Sequence, residues 1–158
     1  MKPFVVSVIL AFVLAVTGCE SLSDAKDTIR EKLAERDAPQ VKVYPGVAPR
    51  AVYEATRSAI RQMNFRFLRG GAAQGELDAI NGVSAGDTLN SAHQISLKVR
   101  LHATPEGGTE AKVWLKEIIE ADSANRAGIA TETPLRDTPL YDTFFRNLQQ
   151  AIDAQKKG

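Results

Sequence analysis

The sequence predicts an α+β fold, a two-layer sandwich in which an antiparallel meander of about four strands carries two helices on one face. Three observations lead there. Between Gln94 and Ala103, the residues Ile95, Leu97, Val99, Leu101 and Ala103 alternate with Gln94, Ser96, Lys98, Arg100 and His102, as a strand with one buried and one wet face requires. Two other segments, opening at Pro49 and Pro139, instead carry apolar residues at three- and four-residue steps, the period of an amphipathic helix. A one-faced sheet and one-faced helices are complementary, and stacking both helices on the apolar face of the sheet buries all three.

The elements follow in chain order. Lys2 gives a positive start, and Phe4 to Val16 run apolar with Ser7 the sole polar interruption. That run is short of the ~20 apolar residues of a membrane span and suits a signal-peptide core. The following Val16-Thr17-Gly18-Cys19 resembles the bacterial lipobox, an aliphatic and two small residues before a cysteine that takes lipid as a thioether. The resemblance implies cleavage before Cys19 and a diacylglyceryl group on it, so residues 1–18 are expected to be a lipoprotein signal peptide and the mature chain to be anchored on the periplasmic face of the cell envelope. Two or more acyl chains hold stably where one binds marginally. Glu20 is not the aspartate common after the cysteine of inner-membrane lipoproteins, which favours the outer membrane over the inner.

Residues 19–40 form the expected lipidated N-terminus and polar tether. The segment is highly charged, yet Leu22, Ala25, Ile29 and Leu33 recur at helical steps and Ser21 with Asp24 suits a cap. This thin stripe is compatible with a helix laid on lipid headgroups or on its own domain, and equally with a solvated spacer, since short isolated helices are marginal in water. Pro39 ends it.

Residues 41–158 form the expected α+β domain. Val41 to Tyr44, bounded by Pro45-Gly46, reads as an edge strand. Pro49 opens a helix with Val52, Tyr53, Thr56, Ala59, Ile60 and Met63 on its core side. Phe65, Phe67 and Leu68 begin a strand that turns at Gly70-Gly71, and Leu77, Ala79 and Ile80 mark the next. Gly82 to Ser91 reads as a loop. The alternating strand then meets Pro105-Glu106-Gly107-Gly108, a hairpin turn. On the returning strand Ala111, Val113, Leu115 and Ile119 fall inside, Trp114 and Ile118 outside. If residues 105–107 form a three-residue loop, Trp114 lies opposite Lys98. Asp122 to Thr138 reads as a long polar connection. Thr138 and Pro139 start a last helix whose apolar face holds Leu140, Tyr141, Phe144, Phe145, Leu148 and Ile152.

Composition narrows the function. Twenty Lys and Arg against nineteen Asp and Glu leave a formal charge of +1, which does not favour nucleic acid. The single cysteine rules out an intramolecular disulfide and a thiolate zinc site. His93 and His102 fall on opposite faces of one strand, so they do not share a metal, and no cofactor or metal is expected. No nucleophile elbow, metalloprotease helix pair or phosphate-cradling loop is present. Glu76 and Asp78 share a strand face, where a wet ionic face is commoner than a paired-acid site.

The order strand, helix, four-strand meander, long loop and closing helix resembles small proteobacterial lipoprotein families of unknown function. It is carried by Pro49 to Met63 with Phe65 after it, by Gly107-Gly108, and by the helix from Leu140. The resemblance spans about Val41 to Ile152 and implies an architecture without an activity. The expected function is therefore a membrane-anchored, non-enzymatic accessory or scaffold, held to lipid through Cys19 and binding a protein partner. The candidate binding residues are Trp114, Ile118, Lys98 and Arg100, on a face that also holds Lys112 and Lys116. An alternative is a binder of a small apolar ligand, in a cavity between sheet and C-terminal helix lined by Phe65, Phe67, Phe144 and Phe145.

Overall fold

The computed structural model describes residues 30–32, 37–82, 91–121 and 130–157. By its internal contacts the chain divides into Met1–Ala38 and Pro39–Gly158. In the first unit residues 30–32 are helical and exposed. The signal segment, Cys19 and the cap at Ser21 lie outside the described residues.

The second unit runs β1 (Gln40–Tyr44), α1 (Pro49–Gln62), β2 (Phe65–Gly71), β3 (Glu76–Asn81), β4 (Ser91–Ala103), β5 (Thr109–Ala121), β6 (Ala130–Pro134) and α2 (Pro139–Lys157). All six strands form one sheet in the order β1-β5-β4-β3-β2, with β6 also paired to β5. Every pairing is antiparallel, so the fold is α+β.

One feature differs from the sequence expectation, and a second goes beyond it. The meander of about four strands is part of a six-stranded sheet, because β1 joins it beside β5 and because β6 lies inside the segment read as a polar connection. β6 is Ala-Thr-Glu-Thr-Pro with its first three residues exposed. A strand that buries no apolar row leaves no alternation to read. The second is the facing of β1, which the sequence leaves open. Val41 and Val43 are each 49% exposed, while Tyr44 is 3% exposed. Register places Lys42 beside the buried Ala111 and Tyr44 beside the buried Thr109. The larger aromatic therefore takes the inner position and its neighbouring valines turn outward.

The local reasons for the helices are visible. Pro49 stands at the start of α1, where its missing N–H costs nothing. Asn64, at φ 59, follows the end of that helix, a left-handed position that Asn tolerates. At the start of α2 the Leu140 N–H donates to the Thr138 hydroxyl at 3.4 Å, the cap expected there. The Thr56 hydroxyl, fully buried, donates to the Val52 carbonyl at 2.7 Å.

The core is one cluster. It joins Val52, Ala59 and Ile60 of α1 and Phe144, Leu148 and Ile152 of α2 to Leu77, Leu97, Val99, Val113 and Leu115 of the sheet. The sheet residues in it share one face by register: Leu77 pairs with Val99, Val99 with Val113 and Leu97 with Leu115. The turn after β1 is tied in by Thr109, whose buried hydroxyl donates to the Val47 carbonyl at 2.6 Å. Among the described residues no helix is long and apolar enough to cross a membrane.

Candidate docking face on the sheet

The hairpin between β4 and β5 sets the register of the site. The Thr104 N–H donates to the Gly108 carbonyl at 2.9 Å and the Gly107 N–H to the Thr104 carbonyl at 3.1 Å. Gly107 has φ +82, a left-handed residue that closes a three-residue loop without a Cβ penalty. With the loop at residues 105–107, Trp114 pairs with Lys98, as the sequence predicts for that turn.

Trp114 lies on the sheet face opposite the core, since its neighbours Val113 and Leu115 are buried and side chains alternate. Lys98 and Arg100 of β4 and Lys112, Lys116 and Ile118 of β5 share that face by register. Four candidates thus come together there: Trp114, Ile118 and Arg100 are half-buried and Lys98 is exposed. Val41, which pairs with Lys112, and Val43, which pairs with Glu110, complete one side. The sequence expectation missed these two because β1 is too short for its alternation to say which residues turn inward. Of the described side chains on this face of β3, β4 and β5, none is buried.

The position of Trp114 along β5 is set by two other strands. On the side of β5 away from β4, β1 pairs as far as Val113 and β6 begins at Lys116. Trp114 and Leu115 occupy the gap between them. The gap is stitched by Leu135, whose N–H donates to the Leu115 carbonyl at 2.9 Å, and by the Gln40 side chain, which donates to the Arg136 carbonyl at 3.3 Å.

Ion pairs tie four cations of this face, Lys98 not among them, to carboxylates on it. Arg69 Nε lies 2.7 Å from Asp78 Oδ2, Lys112 Nζ 3.1 Å from Glu110 Oε1, Lys116 Nζ 3.7 Å from Glu132 Oε2, and Arg100 bonds Glu76. Glu76 and Asp78, the adjacent acids of β3, are each held by an arginine rather than by each other. The partly exposed Lys112–Glu110 and Lys116–Glu132 pairs contribute about 0–1 kcal/mol each.

The remaining sequence candidates are placed elsewhere. His93 bonds Glu117 at 3.3 Å on the inner face, and His102 is exposed on the outer one. No group of three or more His, Cys, Asp or Glu with metal-binding geometry occurs among the described residues. Phe65 and Phe144 belong to the core. Phe145 meets Phe144 edge-on at 5.5 Å between centroids. Phe67 is 36% exposed under the Arg57 guanidinium, 5.3 Å from its ring centre. Lys42 Nζ lies 5.7 Å from the ring centres of both Tyr44 and Phe145, and burial pushes the Tyr44 phenol well above its ordinary pKa. An open groove of about 520 Å³ between the two helices is lined by Glu54, Ser58 and Arg61 of α1 and Gln150, Ala154 and Gln155 of α2, among others, with no phenylalanine in its wall.

No protein family matches the sequence, and no curated protein matches it. The chain has a weak structural likeness to a DUF4468 family protein from Bacteroides ovatus, with 12% identity, coverage of 75% of this chain and 81% of the other, and a TM-score of 0.33. At that score nothing is carried over from it to this chain.

Proposed function

We propose that the chain is a lipoprotein, anchored through lipid on Cys19 to the periplasmic face of an envelope membrane, whose two-layer α+β domain binds a protein partner without catalysing a reaction. The outer membrane is the favoured site, on the strength of Glu20 after the cysteine. The docking surface is the outer face of the sheet around Trp114 and Ile118, flanked by Lys98 and Arg100.

One observation carries this reading. The chain places its single tryptophan at the middle of a long strand, on the face of the sheet that does not join the core, with Val41 and Val43 half-exposed on the same face. Tryptophan is enriched among the residues that dominate interface energies, and an apolar group ringed by polar ones is the ordinary anatomy of such a surface.

The test is in-cell crosslinking of the lipidated chain followed by mass spectrometry, for wild type and Trp114→Ala. The expected result is a reproducible partner that Trp114→Ala abolishes while its folding stability stays within about 1 kcal/mol, as a cross-strand surface pair allows. A large loss of stability with unchanged crosslinks would make Trp114 a structural residue and sink the reading.

A further inference from the structure

The four cations around Trp114 have their counter-charges on the outside of the ring. Lys98 stands directly opposite the tryptophan, Lys112 and Lys116 two residues to either side, and Arg100 one diagonal step away. The acids lie farther out: Glu76 one strand beyond Arg100, Glu110 two residues beyond Lys112, and Glu132 on the adjoining β6, opposite Ile118. Their side chains are 48%, 31% and 58% exposed, so water competes at the acid of each pair, although the Arg100 Nη1 atom facing Glu76 is itself buried. Asp78, the acid opposite Lys98, is engaged by Arg69. Lys98 makes no ion pair among the described residues and is exposed.

Resting on the reading of this face as a protein-binding surface, we propose that the partner presents an acidic segment, a short run of Asp or Glu side chains that engages Lys98 and the neighbouring lysines while lying across Trp114. Charge complementarity selects this occupant. The centre of the face is cationic and its rim is anionic, so the complement must place its negative charge locally. A protein segment with a few discrete carboxylates does that. An anionic bilayer or a nucleic-acid backbone spreads negative charge over the whole contact, and would set it against Glu76, Glu110 and Glu132 as well as against the lysines.

Because Trp114 is the only tryptophan, its emission reports on this face alone. The experiment titrates the full chain, purified in nonionic detergent, with a short poly-glutamate peptide, alongside the Lys98→Glu and Lys98→Arg variants. The expected result is a saturable change in emission that weakens with added salt, is lowered about tenfold or more in affinity by Lys98→Glu, and is retained by Lys98→Arg. No emission change, or an equal response from Lys98→Glu, overturns the proposal. Phosphatidylglycerol vesicles are the comparison, read as the Lys98-dependent part of the response so that insertion of the anchor cancels. A larger Lys98-dependent response to them than to poly-glutamate also overturns it, in favour of a membrane surface. If poly-glutamate fails while Trp114→Ala still abolishes crosslinks, only the acidic chemistry falls. If crosslinks survive Trp114→Ala, the docking face itself falls.

Discussion

The backbone N–H of Leu115 donates to the phenolic oxygen of Tyr141 at 2.9 Å, in a buried setting. Strand pairing alone leaves that N–H without a carbonyl, because β1 stops pairing at Val113 and β6 begins at Lys116. A side chain from α2 fills the missing position in the ladder and holds the helix to the sheet directly behind Trp114. Tyr141→Phe is therefore expected to cost about 1–3 kcal/mol, the range for leaving a buried donor unsatisfied. Urea unfolding of the two proteins measures it, and a midpoint equal to wild type would mean that the bond carries no net stability.

Phe144 is fully buried and Arg146, two residues on, is exposed. Phe144→Ala should cost about 3–5 kcal/mol, as for emptying a buried aromatic site, and Arg146→Ala should stay within about 0.5 kcal/mol of wild type. Equal, small shifts of the two denaturation midpoints would contradict the packing of α2 described above.

Two glycines with positive φ should respond differently to alanine. Gly75, at φ +63, is buried against β4, and a Cβ there would overlap the Leu101 carbonyl oxygen. Gly107, at φ +82, has open space around the same position. Both substitutions bear the left-handed penalty, but only the first adds a clash with backbone, so Gly75→Ala should cost at least about 2 kcal/mol and Gly107→Ala about 1 kcal/mol. Reversal of that order in thermal or urea unfolding would count against the β3–β4 geometry.

Cys19 is the one thiol in the chain, so Cys19→Ala removes the group on which the proposed lipid thioether would form. The expected product is unprocessed or soluble and takes up no labelled palmitate in growing cells. Normal labelling and membrane retention of the variant would end the lipoprotein proposal.

The sequence by itself determined α1, α2 and β1 to β5 as helix and strand, and which faces of the two helices and of β4 and β5 are apolar, because those properties are periodic and local. The alternation from Ile95 to Leu101 and from Ala111 to Leu115 is sufficient to put Trp114 on the outer face, since a one-residue slip would expose the whole inner row. The turn at Gly107 then brings Lys98 opposite it. Tertiary structure decided what depends on distant partners. Five residues of β1 do not carry enough periodicity to say that Tyr44 turns inward and Val41 and Val43 outward; pairing with Ala111 and Thr109 settles it. β6 exists because it finds the edge of β5 that β1 leaves open, although its own side chains bury no apolar row. The bond from Leu115 to Tyr141 was equally illegible, because every residue but proline has the same backbone N–H. Which donors lack a strand partner, and which side chain reaches them, is known only once β1, β6 and α2 have met on β5.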